Sequence, residues 1–278
     1  MKRRRDRTTV LVTVTAAALT ALGLAGCAVP ERRPREPQPG EPTLRVLSYN
    51  VNYGLAGDGS TVAAIRAADA DLVVLQETTP AWEAVVRREL GAHYPHVDFL
   101  HAPGAGGLAV LSRTPFRTEA VSPPPEGGWF PAWRVRLPET PIGPVRVIGV
   151  HLRPPISDGG SVVSGYLSTP AVREREIARH AEGLAQGEVP TLVVGDFNES
   201  DGDAVRWLRE RGFRSVLPEF HPGLRTWRWQ TSLGEITATL DHIAYDRRLV
   251  PLDARVIEAG RSDHLPIVAT FARAPRPR

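Results

Sequence analysis

The feature that most constrains this chain is a series of short apolar runs that end abruptly in polar side chains. The stretch 192–200, LVVGDFNES, shows the pattern. Side chains alternate across a strand, so Asp196 and Asn198 share one face while Phe197 points to the other and completes the core. Two hard oxygen donors at the end of a buried strand suit Mg²⁺, Ca²⁺ or Mn²⁺. A simple turn is the alternative, because Gly, Asp, Asn and Ser also favour turns.

Similar runs recur along the chain, with helical patterns between them. Continuously apolar runs indicate strands that are buried on both faces. Capping signals predict helices, since Thr79 and Thr169 each precede a proline and Gly212 ends the last helical pattern. The predicted strands are 44–50, 72–76, 108–112, 133–137, 145–152, 191–197, 225–230, 236–245, 254–258 and 265–272, and the predicted helices are 61–68, 80–90, 170–186 and 203–211. This order predicts an α/β (α+β) domain over 43–272, with two packed sheets and helices outside them.

The N-terminal 42 residues have the layout of an export signal followed by a tether. A basic start, an apolar stretch and small residues predict a signal peptide over 1–26. LAGC at 24–27 contains the only cysteine and resembles the lipobox of bacterial lipoproteins, which implies lipid attachment at Cys27. An uncleaved anchor over 8–26 is the alternative. Residues 27–42 hold five prolines and six charges and are expected to form a Pro/Arg/Glu-rich tether, with 273–278 a disordered tail. We therefore expect an exported body, lipid-anchored to the cell membrane or outer membrane.

The charge of the body weakens the case for a polyanionic partner. Of the 34 basic and 31 acidic residues, the segments 1–42 and 273–278 hold 11 and 4, so residues 43–272 carry 23 and 27, a net charge of −4. Duplex DNA is usually bound by a basic surface. Nucleic acid is not excluded, because a bound metal ion supplies positive charge locally.

Six predicted strand ends deliver eight polar side chains. Each one alone is explained as a turn, cap or core residue. Together they are typical of a site, because sites form where strand ends converge. The eight are Asn50, Glu77, His151, Asp196, Asn198, Asp241, Asp263 and His264.

The order of these motifs, N…QE…H…GDFN…LDHI…SDH, resembles that of the endonuclease/exonuclease/phosphatase superfamily, the DNase I-like hydrolases. The glycine-rich GLAVLSR at 107–113 adds to the resemblance, which spans essentially the whole body. GDFN and SDH are its more specific parts, whereas YN and QE mean little without them. The resemblance implies a four-layer α/β sandwich of two mixed sheets flanked by helices. It also implies metal-dependent hydrolysis of phosphoester bonds by in-line attack of water.

Chemistry and the resemblance together assign the metal ligands. Glu77, supported by Asn50 and Asp263, is expected to hold one divalent cation. Ligands that are all oxygen indicate Mg²⁺ over Zn²⁺, with Mn²⁺ or Ca²⁺ as alternatives. A second metal at Asp196 and Asn198 is left open.

The remaining side chains are expected to act on the phosphate and the attacking water. Asp196 is expected to position or deprotonate the water, and Asn198 to hold a phosphate oxygen. His151 and His264 are expected to donate to the other phosphate oxygens. Asp241 matches the acid that pairs with the C-terminal histidine in the family. Whether Asp196 or His264 is the base is left open.

The sequence gives weaker indications of the substrate. The 17-residue loop 153–169 is interpreted as a substrate-facing flap, with Arg153 and Tyr166 as contacts. Trp227 and Trp229 are expected to pack in the core, with stacking on a base or contact with lipid as the alternative. A monomeric, membrane-anchored phosphodiesterase is predicted, acting on a phospholipid, a small phosphodiester or nucleic acid, with the first two slightly favoured. The alternative is a non-enzymatic surface-binding module on the same fold, which the intact set of site residues disfavours.

Overall fold

In the computed structural model of the protein, which describes residues 31–183, 187–232 and 234–275, two six-stranded sheets pack face to face. Strands and helices are numbered in chain order. The first sheet contains β1 (Leu44–Asn50), β2 (Leu72–Gln76), β3 (His96–Leu100), β4 (Leu108–Ser112), β13 (Leu249–Val256) and β14 (Ile267–Arg273). The second contains β5 (Arg117–Ser122), β6 (Ala132–Leu137), β7 (Val145–His151), β8 (Thr191–Asp196), β9 (Arg214–Ser215) and β12 (Asp241–Tyr245). A separate hairpin is formed by β10 (Trp227–Thr231) and β11 (Gly234–Ala238).

Helices cover the outer faces of the two sheets, and one short helix packs beside the core between them. They are α1 (Gly59–Ala67), α2 (Pro80–Leu90), α3 (Val162–Ser168), α4 (Pro170–His180), α5 (Asp203–Glu210) and α6 (Leu217–Phe220). The predicted cap of α2 is confirmed, because the Thr79 side chain accepts a hydrogen bond from the Trp82 backbone N–H. Thr169 is the N-cap residue of α4, as predicted, but it makes no capping hydrogen bond, because its hydroxyl donates to the Gly165 carbonyl.

Both sheets are mixed, and each has one parallel pair near its centre. The first sheet runs β13-β14-β1-β2-β4-β3 and the second β5-β6-β7-β8-β12-β9. The β1–β2 and β7–β8 pairs are parallel, whereas the other named pairs are antiparallel. The carboxyl ends of the two parallel pairs therefore define one edge of each sheet.

Three apolar clusters make the structure a four-layer sandwich. One lies between the sheets and joins β1, β2 and β4 to β6, β7 and β8, for example through Val74 and Val147. A second packs the first sheet against α1 and α2, and a third packs the second sheet against α4 and α5. Burying a side chain such as Val74 contributes roughly 1.5–3 kcal/mol, so the strands that end at the site are firmly held. The predicted fold class is confirmed.

Several predicted elements differ from those observed, because partly exposed strands lack a continuous apolar run. β3 and β5 were not predicted, and their burial patterns are mixed. The predicted run 236–245 is two strands, the exposed β11 and the buried β12. The segment 153–169 is not a plain loop, since α3 occupies part of it. The final strand reaches Arg273, so the predicted tail begins too early.

The predicted tether contacts the domain where the structure describes it. The backbone N–H groups of Arg32 and Arg35 donate to the carbonyls of Glu219 and Leu252, at 2.6 and 3.0 Å. The predicted signal peptide and Cys27 lie outside the described residues. Across the ranges that are described, none of the helices has the length and apolar character needed to span a membrane.

Candidate active site

The candidate site lies where the parallel strand pairs of both sheets end. β1, β2, β7 and β8 end at this edge, while the antiparallel β12 and β14 begin there. The stacked sheets bring the two edges together. Asn50 and Asp196, which are 146 positions apart in the sequence, are consequently joined by a hydrogen bond.

Asp196, at the end of β8, lies close to side chains from β1, from β7 and from the segment before β14. Its Oδ2 atom lies 3.1 Å from Nδ2 of Asn50, 3.6 Å from Nε2 of His151 and 3.5 Å from Nε2 of His264. Its Oδ1 atom accepts a hydrogen bond from the Asn198 backbone N–H at 2.8 Å. The residue is 1% exposed. A carboxylate held this firmly, with one oxygen directed at polar donors, is arranged to orient a small polar molecule.

The glycine before Asp196 allows this arrangement. Gly195 has φ +151°, and a Cβ atom there would lie 1.9 Å from the Val150 carbonyl oxygen. Only glycine lets β7 and β8 approach this closely. The close pairing places His151 directly opposite Asp196 in the register.

Asp241 and His264 form a buried pair beside Asp196. Nδ1 of His264 lies 2.9 and 3.1 Å from the two carboxylate oxygens of Asp241. Burial lowers the pKa of His264, but the carboxylates of Asp241, Asp196 and Asp263 raise it by more, to about 10. Burial raises the pKa of Asp241 and the nearby Asp196 carboxylate adds to the rise, while the charge and hydrogen bond of His264 oppose it. A protonated His264 would donate to an oxygen of a bound anion.

His151 is oriented by two contacts outside the charged cluster. Its Nδ1 lies 3.1 Å from the Ala105 carbonyl oxygen, which accepts only, so Nδ1 carries a proton. The ring of Phe130 stacks on it, with 4.4 Å between the centroids and 26° between the planes. These contacts direct Nε2 toward Asp196.

Glu77 lies on the more exposed side of the site and is linked to Asp196 through Asn50. The Asn50 amide donates to Oε1 of Glu77 at 2.9 Å, as well as to Asp196. The Tyr53 backbone N–H donates to the other Glu77 oxygen at 3.2 Å. Glu77 has φ +60°, a strained backbone conformation for a residue with a side chain. The strain places its carboxylate at the end of β2.

Asp263 is held from two sides, by Asn52, which the sequence did not single out, and by Trp227, for which a different role was expected. Asn52 donates through its side-chain amide to Oδ1 at 3.2 Å, and Trp227 donates through its indole N–H to Oδ2 at 3.0 Å. The Asn52 backbone N–H also donates to Oδ1 of Asn50 at 3.1 Å. Asn52 therefore connects the Asp263 carboxylate to Asn50 and through it to Glu77. The alternation of Asn50 and Asn52 in YNVN was the available signal for this role.

The donor set around Glu77 and Asp263 fits a hard cation. Each carboxylate oxygen has two lone-pair positions. Both Glu77 oxygens and Oδ2 of Asp263 accept one hydrogen bond each, which leaves capacity for a metal or its water ligands, whereas Oδ1 of Asp263 accepts from Asn52 and also lies 3.5 Å from the Ser262 hydroxyl. Carboxylate and amide oxygens suit Mg²⁺, Mn²⁺ or Ca²⁺. A second cluster, Asp196, Asp241 and His264, has donor atoms within 4.8 Å of one another. Its imidazole is already bonded to Asp241 through Nδ1.

Some predicted contacts with substrate are occupied by the protein itself. The Asn198 side-chain amide donates to the Leu152 carbonyl at 2.9 Å, and its backbone N–H serves Asp196. Arg153 is 3% exposed and bonds to protein groups, so its predicted contact with substrate is wrong. The Tyr166 side chain lies outside what the structure describes.

The two tryptophans of the hairpin also differ from the prediction. Trp227 is half-buried and bonded to Asp263, whereas Trp229 is 55% exposed, so core packing is wrong for Trp229. Their rings lie 6.0 Å apart at 41°. The hairpin therefore carries an exposed aromatic ring next to one that touches the site.

The sequence profile of the Endonuclease/Exonuclease/phosphatase family matches residues 47–264, which is most of the chain. The chain belongs to this family. Its endonuclease/exonuclease/phosphatase domain contains every site residue named above, from Asn50 to His264. Members of the family are phosphoesterases and nucleases, which indicates a hydrolase of this type.

Several solved structures share the fold of this chain. An endonuclease/exonuclease/phosphatase from Beutenbergia cavernae DSM 12333 is 20% identical, with a TM-score of 0.61 over 84% of this chain and 72% of that one. TDP2 from D. rerio, complexed with single strand DNA product, is 16% identical, with a TM-score of 0.62 over 82% and 98%. An AP endonuclease from Archaeoglobus fulgidus is 20% identical, with a TM-score of 0.56 over 81% and 98%. No curated protein sequence matches this endonuclease/exonuclease/phosphatase domain.

Proposed function

We propose that this protein is an exported, membrane-anchored and metal-dependent phosphodiesterase. The observation that carries the proposal is the convergence on Asp196 Oδ2 of Asn50, His151 and His264, with Glu77 joined to the same network through Asn50. All these side chains come from one chain, which supports activity as a monomer.

Each side chain has a role that follows from its contacts. Glu77, Asn50 and Asp263 would hold a divalent cation, Mg²⁺ with Mn²⁺ or Ca²⁺ as alternatives, which stabilises the negative charge that develops on the phosphoryl group. Asp196 orients the attacking water and accepts its proton, since its Oδ2 faces the two imidazoles and accepts a hydrogen bond from Asn50 that leaves a second lone pair.

The two histidines complete the arrangement from opposite sides of Asp196. His264, kept protonated beside Asp241, donates to one phosphoryl oxygen. His151 contacts another, with its ring fixed by Ala105 and Phe130. Donors that are oriented before the reaction stabilise the transition state without reorganisation.

We favour a phospholipid or a small phosphodiester over nucleic acid as substrate. The body carries a net charge of −4, which repels a long polyanion. The exposed Trp229 near the site offers an apolar contact surface. Nucleic acid remains the competing substrate, since TDP2 was solved with a single-stranded DNA product.

Hydrolysis of bis-p-nitrophenyl phosphate by the purified chain tests the chemistry. Activity is expected with Mg²⁺ or Mn²⁺ and should disappear in EDTA. Asp196→Ala should lower kcat on the order of a hundredfold or more, as expected for loss of a general base. Asp201→Ala is the matched control, because Asp201 is exposed and pairs with Arg209 on the surface. Wild-type activity that survives EDTA, or an active Asp196→Ala variant, would remove the mechanism, and a folded wild type without turnover would favour the binding module.

A substrate panel separates the two substrate classes. Plasmid DNA, sphingomyelin and phosphatidylinositol are incubated with wild type and Asp196→Ala, and the products are quantified. If wild type but not Asp196→Ala hydrolyses a lipid, the favoured substrate class is supported. If the plasmid is nicked and neither lipid is hydrolysed, nucleic acid is supported.

Membrane attachment is tested at Cys27. Wild type and Cys27→Ala are expressed in a bacterial host, and the membrane and soluble fractions are compared. We expect the variant to move to the soluble fraction, because the acyl chains attached at Cys27 would supply the membrane affinity. Unchanged partitioning would argue for an uncleaved anchor.

A further inference from the structure

The buried face of α4 carries a carboxyl group that the site described above does not use. Arg173, Glu176, Ile177 and His180 are all buried, and Glu176 is 0% exposed. Burying a carboxylate is costly unless hydrogen bonds compensate. The partners of Glu176 therefore indicate why this residue type is present.

Both oxygens of Glu176 accept hydrogen bonds from the backbone of loops beside His151. Oε1 accepts from the Trp129 N–H at 3.3 Å, and Oε2 accepts from the Arg153 N–H at 2.8 Å. The next residue after Trp129 is Phe130, whose ring stacks on His151. Arg153 follows His151 by two positions. One carboxylate thus holds both the loop whose Phe130 ring stacks on His151 and the segment that directly follows His151.

Further contacts join the same two loops. The Arg153 guanidinium lies 4.0 Å from the centre of the Trp129 ring and donates to the Gly127 carbonyl at 2.5 Å. A Cβ at Gly128 would lie 2.7 Å from Oε1 of Glu176, so glycine leaves room for the carboxyl group. The two loops and Glu176 are therefore packed as one unit.

We propose that Glu176 is a positioning residue, which sets the orientation of His151 by holding the loops that contain Phe130 and Arg153. The proposal rests on the proposed function, in which His151 contacts a phosphoryl oxygen. Glu176 itself touches no substrate, because it is fully buried.

The protonation state of Glu176 supports this role. Burial raises its pKa to about 7, although the backbone hydrogen bonds and the charges of Arg173 and Arg153 oppose the shift. The other titratable groups on this face of α4 are His180, one helical turn further along, and Arg173, which pairs with Glu199 at 2.8 Å. The ionised carboxylate accepts both backbone bonds fully, whereas protonation of one oxygen weakens the bond to that oxygen. The hold on the loops therefore weakens as the pH falls below about 7.

Glu176→Gln in the purified full chain tests the proposal, with Glu174→Gln as the matched control. Glu174 lies on the exposed face of the same helix. At pH 8, kcat for bis-p-nitrophenyl phosphate should fall on the order of tenfold to a hundredfold in Glu176→Gln, with a much smaller change in KM, because misplacing a catalytic group slows the chemical step. The wild-type kcat should also decrease as the pH is lowered below 7, and Glu176→Gln should lack this decrease. A folded Glu176→Gln variant with wild-type kcat would overturn the proposal.

A second readout separates this proposal from the proposed function. The His151 ring resonances, followed by NMR, should shift or broaden in Glu176→Gln and not in Glu174→Gln. If the wild type shows no turnover, the proposed function fails, and the ring resonances alone decide on Glu176: unchanged resonances refute it. If Glu176→Gln does not fold, Phe130→Leu removes the stacked ring without altering the buried carboxyl. That variant should also lose kcat, and wild-type activity in it would refute the positioning of His151 by this loop.

Discussion

Replacing Asp241 with asparagine removes one charge from the centre of the site at nearly constant volume. The two Asp241 oxygens lie 2.9 and 3.1 Å from Nδ1 of His264, and Asp241 is 0% exposed. Hydrogen bonds to a charged group contribute about 1.5–3 kcal/mol. At about 1.4 kcal/mol for each factor of ten, complete loss of this energy from the transition state lowers kcat roughly 10- to 150-fold.

The assay is steady-state hydrolysis of bis-p-nitrophenyl phosphate by wild type, Asp241→Asn and the exposed control Asp201→Asn. KM should change much less than kcat, because a fully buried Asp241 cannot touch the substrate. The His264 ring resonances should titrate at lower pH in Asp241→Asn than in wild type, since its nearest carboxylate is gone. A folded Asp241→Asn variant with wild-type kcat would refute the coupling of this pair to catalysis.

Further predictions concern stability, measured by urea unfolding. Gly195→Ala should lower the free energy of unfolding by about 3 kcal/mol or more, because its Cβ would lie 1.9 Å from the Val150 carbonyl oxygen. Gly59→Ala, whose Cβ would have nothing within 4 Å, should be neutral or slightly stabilising. Equal effects of the two substitutions would contradict the close approach of β7 and β8. Thr79→Ala should cost about 1 kcal/mol through loss of the α2 cap, and no cost would show that water replaces it. The raised pKa of Glu176 contributes stability that is fully present below its unfolded value near 4.5 and is lost as the pH rises to about 7, at up to ~1.4 kcal/mol per pH unit. The difference in stability between wild type and Glu176→Gln should show this slope, and a pH-independent difference would contradict the shift.

The position of the site at the strand ends could be predicted from the sequence, because the strands that end there are buried. β1, β2, β7 and β8 are apolar on both faces, so a polar residue at the end of such a strand is conspicuous. Each parallel pair also has to present its carboxyl ends at one edge. The structure places Asp196 within 3.6 Å of polar atoms from Asn50, His151 and His264, and it links Glu77 to them through Asn50.

The roles of the residues around the site were harder to predict from the sequence, because these roles depend on contacts between distant loops. Arg153 had the composition of a substrate contact, but its guanidinium is buried against Trp129. Asn52 and Trp227 acquire their roles only because the turn after β1 and the start of β10 both contact Asp263. Local sequence carries no information on which loop packs against which.

The sequence by itself determined the buried strands, the order of the motifs and the donor types at the strand ends, because hydrophobic periodicity and side-chain chemistry are local properties. Tertiary structure alone decided the close approach of β7 and β8 at Gly195 and the burial of Glu176 between two loops. These features arise where segments far apart in the chain pack against each other. The energies involved depend on distance and exclusion of water, which exist only in the folded protein.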